Sequence, residues 1–256
     1  MTSDPDSLRC LQAFYTAHPE MVSSPFGGVS GYDFALLERI WRDLGLNEPR
    51  ALRVLEVGCG RAFLRDYFKE RDCEYLGVDL IAPEGDRTAI VLAEAGALPL
   101  ADETFDLLIC IEAYEHFSGP ERAALEFQRV LAPGGNLFLS TPNYGNVAGL
   151  VKRWMERFGG YDQNTWAPFG GWTPQAHEHF VTHSSVLRTF HSAGFRKGKR
   201  LGCETDLHLG LCPWAALPGF PERLLFPLQR AFPVHRRWLA RRIPTLSLHQ
   251  FWRWEK

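Results

Sequence analysis

Short apolar segments alternate with amphipathic segments through the centre of the chain, between residues 51 and 141. The apolar segments carry hydrophobic residues on both of their faces, whereas several of the segments between them repeat apolar residues at helical spacing. Strands that are apolar on both faces and are separated by helices are typical of a parallel sheet covered on two sides. The alternation therefore predicts an α/β fold with a doubly wound, mostly parallel sheet and helices on both of its faces.

Seven segments are predicted to be strands. They are residues 51–57, 75–79, 88–93, 105–112, 136–141, 195–203 and, as a final edge strand, 246–254. The predicted helices are residues 32–44, 62–70, 120–131 and 184–193. The chain of 256 residues thus divides into an N-terminal helical arm, residues 1–48, and one domain, residues 49–256, with insertions at 143–180 and 204–245.

Charge and composition restrict the classes of partner. The 28 basic and 30 acidic residues leave a net charge of −2, so no global field favours nucleic acid, and no nucleic-acid partner is expected. No run approaches the roughly 18 apolar residues that span a bilayer, and the polar start lacks the features of a signal peptide, so a cytoplasmic location is expected. The six cysteines are scattered without a CxxC pair, and we expect no metal cluster among them.

The sharpest local motif is a strand that runs into a glycine turn and then a helix, with Gly58 and Gly60 in the turn. Glycine lets a backbone approach a ligand that a Cβ would obstruct. Asp79 ends the next predicted strand, where a carboxylate can accept both hydroxyls of a ribose. A plain strand–helix turn and a solvated turn aspartate are the simpler alternatives. Phe63 stands where the dinucleotide motif GxGxxG requires its third glycine, and this counts against a pyrophosphate ligand.

Further segments, in the order 93–100, 102–117 and 129–143, complete a set of motifs. Together with the glycine turn they resemble the class I S-adenosylmethionine-dependent methyltransferases, especially the group that acts on small molecules, lipids and glycans. The resemblance covers about residues 50–200 and implies a Rossmann-like sheet with S-adenosyl-L-methionine as the cofactor. The sequence departs from the family at Ala62, where a third glycine is usual, and we expect a shifted turn there.

The resemblance also assigns the cofactor site. In the family the acid at Glu56 approaches the methionine end of the ligand, Asp79 holds the ribose, and the acid at Glu94 contacts the adenine amino group. The full set implied to bind the cofactor is Glu56, Gly58, Gly60, Asp79, Leu80, Glu94, Ala95 and Glu112.

Two histidines are candidates for the catalytic base. A sulfonium methyl is already activated, so the protein must chiefly orient the reactants, but a hydroxyl acceptor also needs a base during attack. His116 follows the fourth predicted strand, on the side where acceptors enter in the family, although a structural histidine that caps the following helix is an alternative. His179 lies in a segment that borders the acceptor pocket in the family. His177, His179 and His183 lack a recognisable set of metal-ligand spacings, so no metal is expected.

The insertions bear on the acceptor, which we expect to be a small molecule, a lipid or a glycan. Aromatic residues crowd the first insertion, which favours either a lid over the acceptor or a satellite core. Residues 221–243 interleave six arginines with apolar residues, against one glutamate. This pattern indicates either peripheral contact with a membrane or a solvated face packed on the core or at a dimer contact.

Three functions are consistent with this sequence. The first is a methyltransferase, with oxygen the favoured acceptor atom. The second is a nucleotide-dependent oxidoreductase or epimerase on a related sheet, and the third is a module that binds S-adenosylmethionine without catalysis. The identity of the acceptor, the choice among O-, N-, S- and C-methylation, and the oligomeric state stay open.

Overall fold

The structure is a computed structural model that describes residues 5–19, 31–44, 51–81, 87–158, 178–201, 242–243 and 249–256. The strands are β1 (Arg53–Val57), β2 (Glu74–Asp79), β3 (Ile90–Leu92), β4 (Phe105–Ile111), β5 (Leu131–Pro142), β6 (Lys197–Leu201) and β7 (His249–Glu255). The helices are α1 (Pro5–Ala17), α2 (Gly31–Asp43), α3 (Arg65–Lys69), α4 (Pro120–Val130), α5 (Val147–Phe158) and α6 (His183–Ser192), with a short 3₁₀ turn at Tyr114–His116.

The strands form one sheet of seven, in the order β3-β2-β1-β4-β5-β7-β6. The first five strands pair in parallel, and β7 runs antiparallel to both β5 and β6. The strand order reverses between β1 and β4, and in such sheets ligands bind beyond the carboxyl ends of the strands at this point. The predicted α/β fold with a mostly parallel, doubly wound sheet is confirmed.

Successive residues of the central strands point to opposite faces of the sheet, and each face has its own core. On one face Leu55 and Leu108 pack in a cluster with Phe127 of α4 and Phe190 of α6. On the other face β1 and β4 pack against α2 and α3, in a cluster that includes Val54, Leu107, Leu37 and Phe68. Both faces of these strands are apolar because helices cover the sheet on each side.

Helix starts follow local chemistry. Pro120 occupies the first turn of α4, where its missing N–H costs nothing. The Thr182 hydroxyl accepts the Ser185 N–H at 3.2 Å and caps α6. The helix predicted from residue 62 begins only at Arg65, because Ala62 has a φ of 55° and extends the glycine turn. Most other predicted bounds agree with the structure to within two residues.

The prediction that residues 246–254 form the edge strand is wrong. In the structure β7 lies between β5 and β6 and pairs with both. Its residues are covered on both faces, since Trp252 and Trp254 join the core that contains α4 and α6, and Phe251 joins the opposite core. The true edge is β6, which has exposed lysines at positions 197 and 199. The division of the chain into arm, domain and insertions stays a prediction, because residues 159–177 and 202–241 lie outside the described residues.

Candidate functional site

The glycine turn after β1 forms one wall of the site. Gly58 and Gly60 have φ values of 76° and 51°, in the left-handed region that glycine adopts without strain. A Cβ at Gly58 would overlap the side chain of Ala113. The N–H groups of Gly58 and Cys59 donate to the Val78 carbonyl at 2.8 and 3.1 Å, which fastens the turn to the end of β2.

Ala62 occupies the position at which a shifted turn was expected. Its φ of 55° is left-handed, a conformation that costs an alanine roughly 1–2 kcal/mol. The turn keeps this conformation with support from the Ala62 N–H, which donates to the Cys59 carbonyl at 2.7 Å.

Asp79 ends β2 directly beside this turn. Its carboxylate accepts the Gly60 N–H and the Leu80 N–H, both at 2.7 Å, so the acid and the glycine turn are fixed to each other. Burial raises the pKa of this carboxyl, and the N–H donors of Gly60, Ile81 and Leu80 oppose the rise. A carboxylate has about four acceptor positions, and the Gly60, Leu80 and Ile81 N–H groups use three of them, so Asp79 retains about one for a ribose hydroxyl.

Glu56 lies on β1, 4% exposed, and accepts a hydrogen bond from the Tyr75 hydroxyl. Burial raises the pKa of Glu56 to about 8; the Tyr75 bond lowers it and the nearby Asp79 raises it. A cationic group beside Glu56 would offset the cost of its ionisation. The ammonium of a bound methionine moiety is such a group, so the buried acid fits the expected cofactor.

The acid after β3 lies close to the end of β2. Glu94 follows β3, and its carboxylate accepts the Ser118 hydroxyl at 2.6 Å. The Ala93 N–H donates to the Asp79 carbonyl at 2.9 Å, which holds this segment against the end of β2. The neighbouring Ala95 is buried in the core, and Leu80 packs on the apolar side of α1.

A second group of side chains surrounds the ends of β4 and β5. Glu112, predicted to bind the cofactor, follows β4 with a φ of 48°. Its carboxylate accepts the Ser140 hydroxyl and lies 3.5 Å from Nε2 of His249. These two contacts lie on β5 and β7, and the next residue, Ala113, lies against Gly58 of the glycine turn.

Glu115 lies deepest in this group, 2% exposed, and the Thr141 hydroxyl donates to it at 3.0 Å. Burial raises its pKa well above the usual range, and the charges of Glu112 and Glu178 add to the rise. Nε2 of His116 lies 3.8 Å from Oε1 of Glu115. The structure thus brings a histidine and a buried carboxyl together at the end of β4.

His179 contacts the same loop from the other side. Its backbone N–H donates to the Glu115 carbonyl oxygen at 2.7 Å, and its ring Nε2 lies 2.7 Å from the Phe117 carbonyl oxygen. Because a carbonyl only accepts, Nε2 is the protonated nitrogen, and Nδ1 is the one that can take a proton. Next to it, Glu178 accepts a hydrogen bond from the Tyr144 hydroxyl.

Helix α1 covers the site and contributes a residue that no sequence motif selects. The Tyr15 ring meets the His116 ring edge to face, with centroids 6.4 Å apart. Burial raises the pKa of the Tyr15 hydroxyl, and the charges of Glu115, Asp79 and Glu178 raise it further. Tyr15 is therefore close enough to these three carboxylates for their charges to act on its hydroxyl. Only the contact with His116 in the folded protein identifies Tyr15 as a residue of the site.

Two predictions fall partly outside the residues that the structure describes. His177 lies outside the described residues, and so do residues 221–241 of the basic segment. Among the residues that the structure does describe, no three His, Cys, Asp or Glu side chains lie together as a metal ion would require. The helices within the same ranges include none that is long and apolar enough to cross a bilayer.

A glycine turn after β1, acids after β2 and β3, and an antiparallel seventh strand between β5 and β6 define a class I S-adenosylmethionine-dependent methyltransferase. Residues 30–197 match the family model described as a methyltransferase domain, and the chain belongs to this family. The chain therefore contains a methyltransferase domain, and S-adenosylmethionine is the cofactor of this class. The oxidoreductase or epimerase alternative is therefore wrong.

Two relatives illustrate the match in sequence. An uncharacterized methyltransferase of Mycolicibacterium gilvum is 29% identical over 175 residues, which cover 65% of this chain and 64% of the relative. A ubiquinone biosynthesis O-methyltransferase of Idiomarina loihiensis is 29% identical over 151 residues, covering 53% of this chain and 58% of the relative. The chain thus spans less than two thirds of the length of these relatives.

A solved structure illustrates the match in fold. The 1,6-didemethyltoxoflavin-N1-methyltransferase of Burkholderia thailandensis, crystallised with 1,6-didemethyltoxoflavin and S-adenosylhomocysteine, superposes with a TM-score of 0.58. The superposition covers all of this chain and 91% of that one, at 13% sequence identity. At this identity the likeness concerns the fold.

Proposed function

We propose that the protein transfers a methyl group from S-adenosylmethionine to a hydroxyl oxygen of a small-molecule, lipid or glycan acceptor, with His116 as the general base. The observation that carries this proposal is the pairing of His116 with the buried Glu115, 3.8 Å apart at the end of β4. The Idiomarina loihiensis relative, which is named an O-methyltransferase, supports oxygen as the acceptor atom.

The cofactor would lie along the ends of β1, β2 and β3. Glu56 would face its methionine end, the Gly58–Gly60 backbone would line the same part, Asp79 would hold the ribose and Glu94 the adenine. When bound, S-adenosylmethionine supplies a methyl group that its sulfonium already activates. The remaining work of the protein is to orient the acceptor, exclude water and remove a proton.

His116 would remove that proton. A neutral imidazole accepts a proton from the hydroxyl as the new carbon–oxygen bond forms. The positive charge that develops on the ring would favour the ionised form of the adjacent Glu115, whose pKa burial otherwise holds high. Tyr15 packs on the edge of the same ring and would hold it in place while α1 keeps water out. His179 is the weaker candidate, because its Nε2 is held by the Phe117 carbonyl oxygen.

A specific observation favours a second acceptor class. Glu112, Glu115 and Glu178 lie close enough for their charges to interact. A cationic amine would relieve this repulsion on binding and would pass a proton to one of these carboxylates before its nitrogen lone pair attacks the methyl group, so N-methylation is the competing proposal.

Turnover on a panel of phenols, alcohols and amines tests both proposals. His116→Asn should lower kcat on a hydroxyl acceptor by about 10²–10⁴-fold, the usual loss for a positioned base, and leave the affinity for S-adenosylhomocysteine nearly unchanged. His179→Asn is the matched control. If amines are the acceptors turned over and His116→Asn retains full activity on them, oxygen methylation is the wrong assignment.

The peripheral membrane contact predicted for residues 221–243 concerns residues outside the described ranges apart from 242–243. It stays a prediction. Removal of its arginines should reduce sedimentation with acidic vesicles if it is correct.

A further inference from the structure

Helix α5 carries three large apolar side chains that are exposed along one side. Leu150 is 68% exposed, Trp154 60% and Phe158 66%. Residues four apart are neighbours on one side of a helix, and the Trp154 and Phe158 ring centroids lie 5.9 Å apart. We call Leu150, Trp154 and Phe158 the α5 stripe.

The described contacts of α5 with the rest of the protein lie on its other side. A Cβ at Gly149 would overlap the backbone carbonyl of Tyr144, so this side of the helix lies tightly against the chain before it. The Arg153 guanidinium lies 4.3 Å from the centroid of the Phe180 ring. Surface helices usually turn their apolar side toward the core, whereas α5 packs Gly149 against the chain and turns the stripe outward. Contiguous exposed apolar residues of this size mark a contact surface.

The charges beside the stripe indicate what it contacts. Arg153 and Arg157 are both exposed, and the Arg157 guanidinium lies 5.6 Å from the centroid of the Phe158 ring. Over its twelve residues α5 has three basic residues and one acidic residue, in a chain whose net charge is −2. An apolar stripe with a tryptophan and a phenylalanine, bordered by arginines, matches the boundary between acyl chains and anionic headgroups.

We propose that α5 lies on an anionic lipid surface, with the stripe inserted at the level of the headgroups and the arginines facing the phosphates. The surface borders the acceptor end of the site. Phe180, which Arg153 covers, stacks on Tyr144 with centroids 5.2 Å apart, and the Tyr144 hydroxyl donates to Glu178. The proposal concerns α5 and does not depend on which atom is methylated.

Sedimentation of the full-length protein with vesicles tests the proposal. Wild-type protein should pellet with vesicles that contain phosphatidylglycerol, and less with pure phosphatidylcholine or at high salt. The triple change Leu150→Ser, Trp154→Ser and Phe158→Ser should lower the partition coefficient by roughly a thousandfold, since each buried large apolar side chain contributes about one order of magnitude.

A matched control uses Leu92 and Leu125, which are 56% and 52% exposed on other surfaces. The double change Leu92→Ser and Leu125→Ser should leave the partition coefficient unchanged. Affinity for S-adenosylhomocysteine shows that each variant is folded. The proposal is overturned if wild-type protein stays in the supernatant with anionic vesicles, or if the triple variant pellets as well as wild type. It is also overturned if light scattering shows a dimer that the triple change disrupts, and if this dimer does not sediment with anionic vesicles.

Discussion

Replacing Asp79 by alanine should weaken the binding of S-adenosylhomocysteine by about 1–3 kcal/mol, or roughly 5–150-fold in Kd. The magnitude follows from the site, because Asp79 is the charged acceptor next to the glycine turn and hydrogen bonds to charged groups are the strong ones. The change also removes the acceptor of the Gly60 and Leu80 N–H groups, which the wild-type carboxylate holds at 2.7 Å. The glycine turn should loosen, and part of the loss should come from that loosening.

Isothermal titration calorimetry with two ligands separates these effects. A 2′-deoxyribose analogue of S-adenosylhomocysteine should bind wild-type protein more weakly than the natural ligand, and the alanine variant should not distinguish the two. Asp66→Asn is the control, because Asp66 has a side chain that is 81% exposed and lies on α3. If the Asp79→Ala variant binds S-adenosylhomocysteine as tightly as wild type, Asp79 does not hold the ribose.

Two further predictions concern single residues. Burial raises the pKa of Glu56 to about 8, so the folded protein keeps this carboxyl protonated up to about that pH. The unfolded chain releases the same proton above the ordinary pKa of 4.5. Stability of the cofactor-free protein should therefore fall as pH rises from about 5 to about 8, by up to roughly 1.4 kcal/mol per pH unit, and Glu56→Gln should flatten this dependence. Thermal unfolding of wild type, Glu56→Gln and the exposed control Glu74→Gln across this pH range measures the dependence. The Glu74→Gln curve should parallel wild type, and a Glu56→Gln curve that also parallels wild type would contradict the prediction. Tyr15→Ala should lower kcat/KM by about tenfold, since it removes an edge-to-face contact with His116 and apolar cover of the site, and Tyr15→Phe should recover most of the loss. Equal activity of the alanine and phenylalanine variants would show that the ring has no such role.

The sequence by itself determined the fold and pointed to the cofactor end of the site. Both depend on local patterns: strands with two apolar faces, a glycine turn whose φ values only small residues accept readily, and an acid at the end of the next strand. The bounds of the helices predicted at 32–44, 120–131 and 184–193 followed for the same reason, since caps and apolar spacing are set by neighbours in the chain. The shifted turn at Ala62 was also expected from one residue, and the φ of 55° there agrees with it.

Contacts between distant parts of the chain were decided only in the tertiary structure. The apolar pattern of β7 does not say which strands it pairs with, so an internal strand was mistaken for an edge. The approach of Thr141 to Glu115, and of Tyr15 to His116, depends on how β4, β5 and α1 pack. The outward direction of the α5 stripe is likewise invisible in its sequence, because an amphipathic pattern shows that a helix has two sides but the packing of its neighbours fixes which side faces outward.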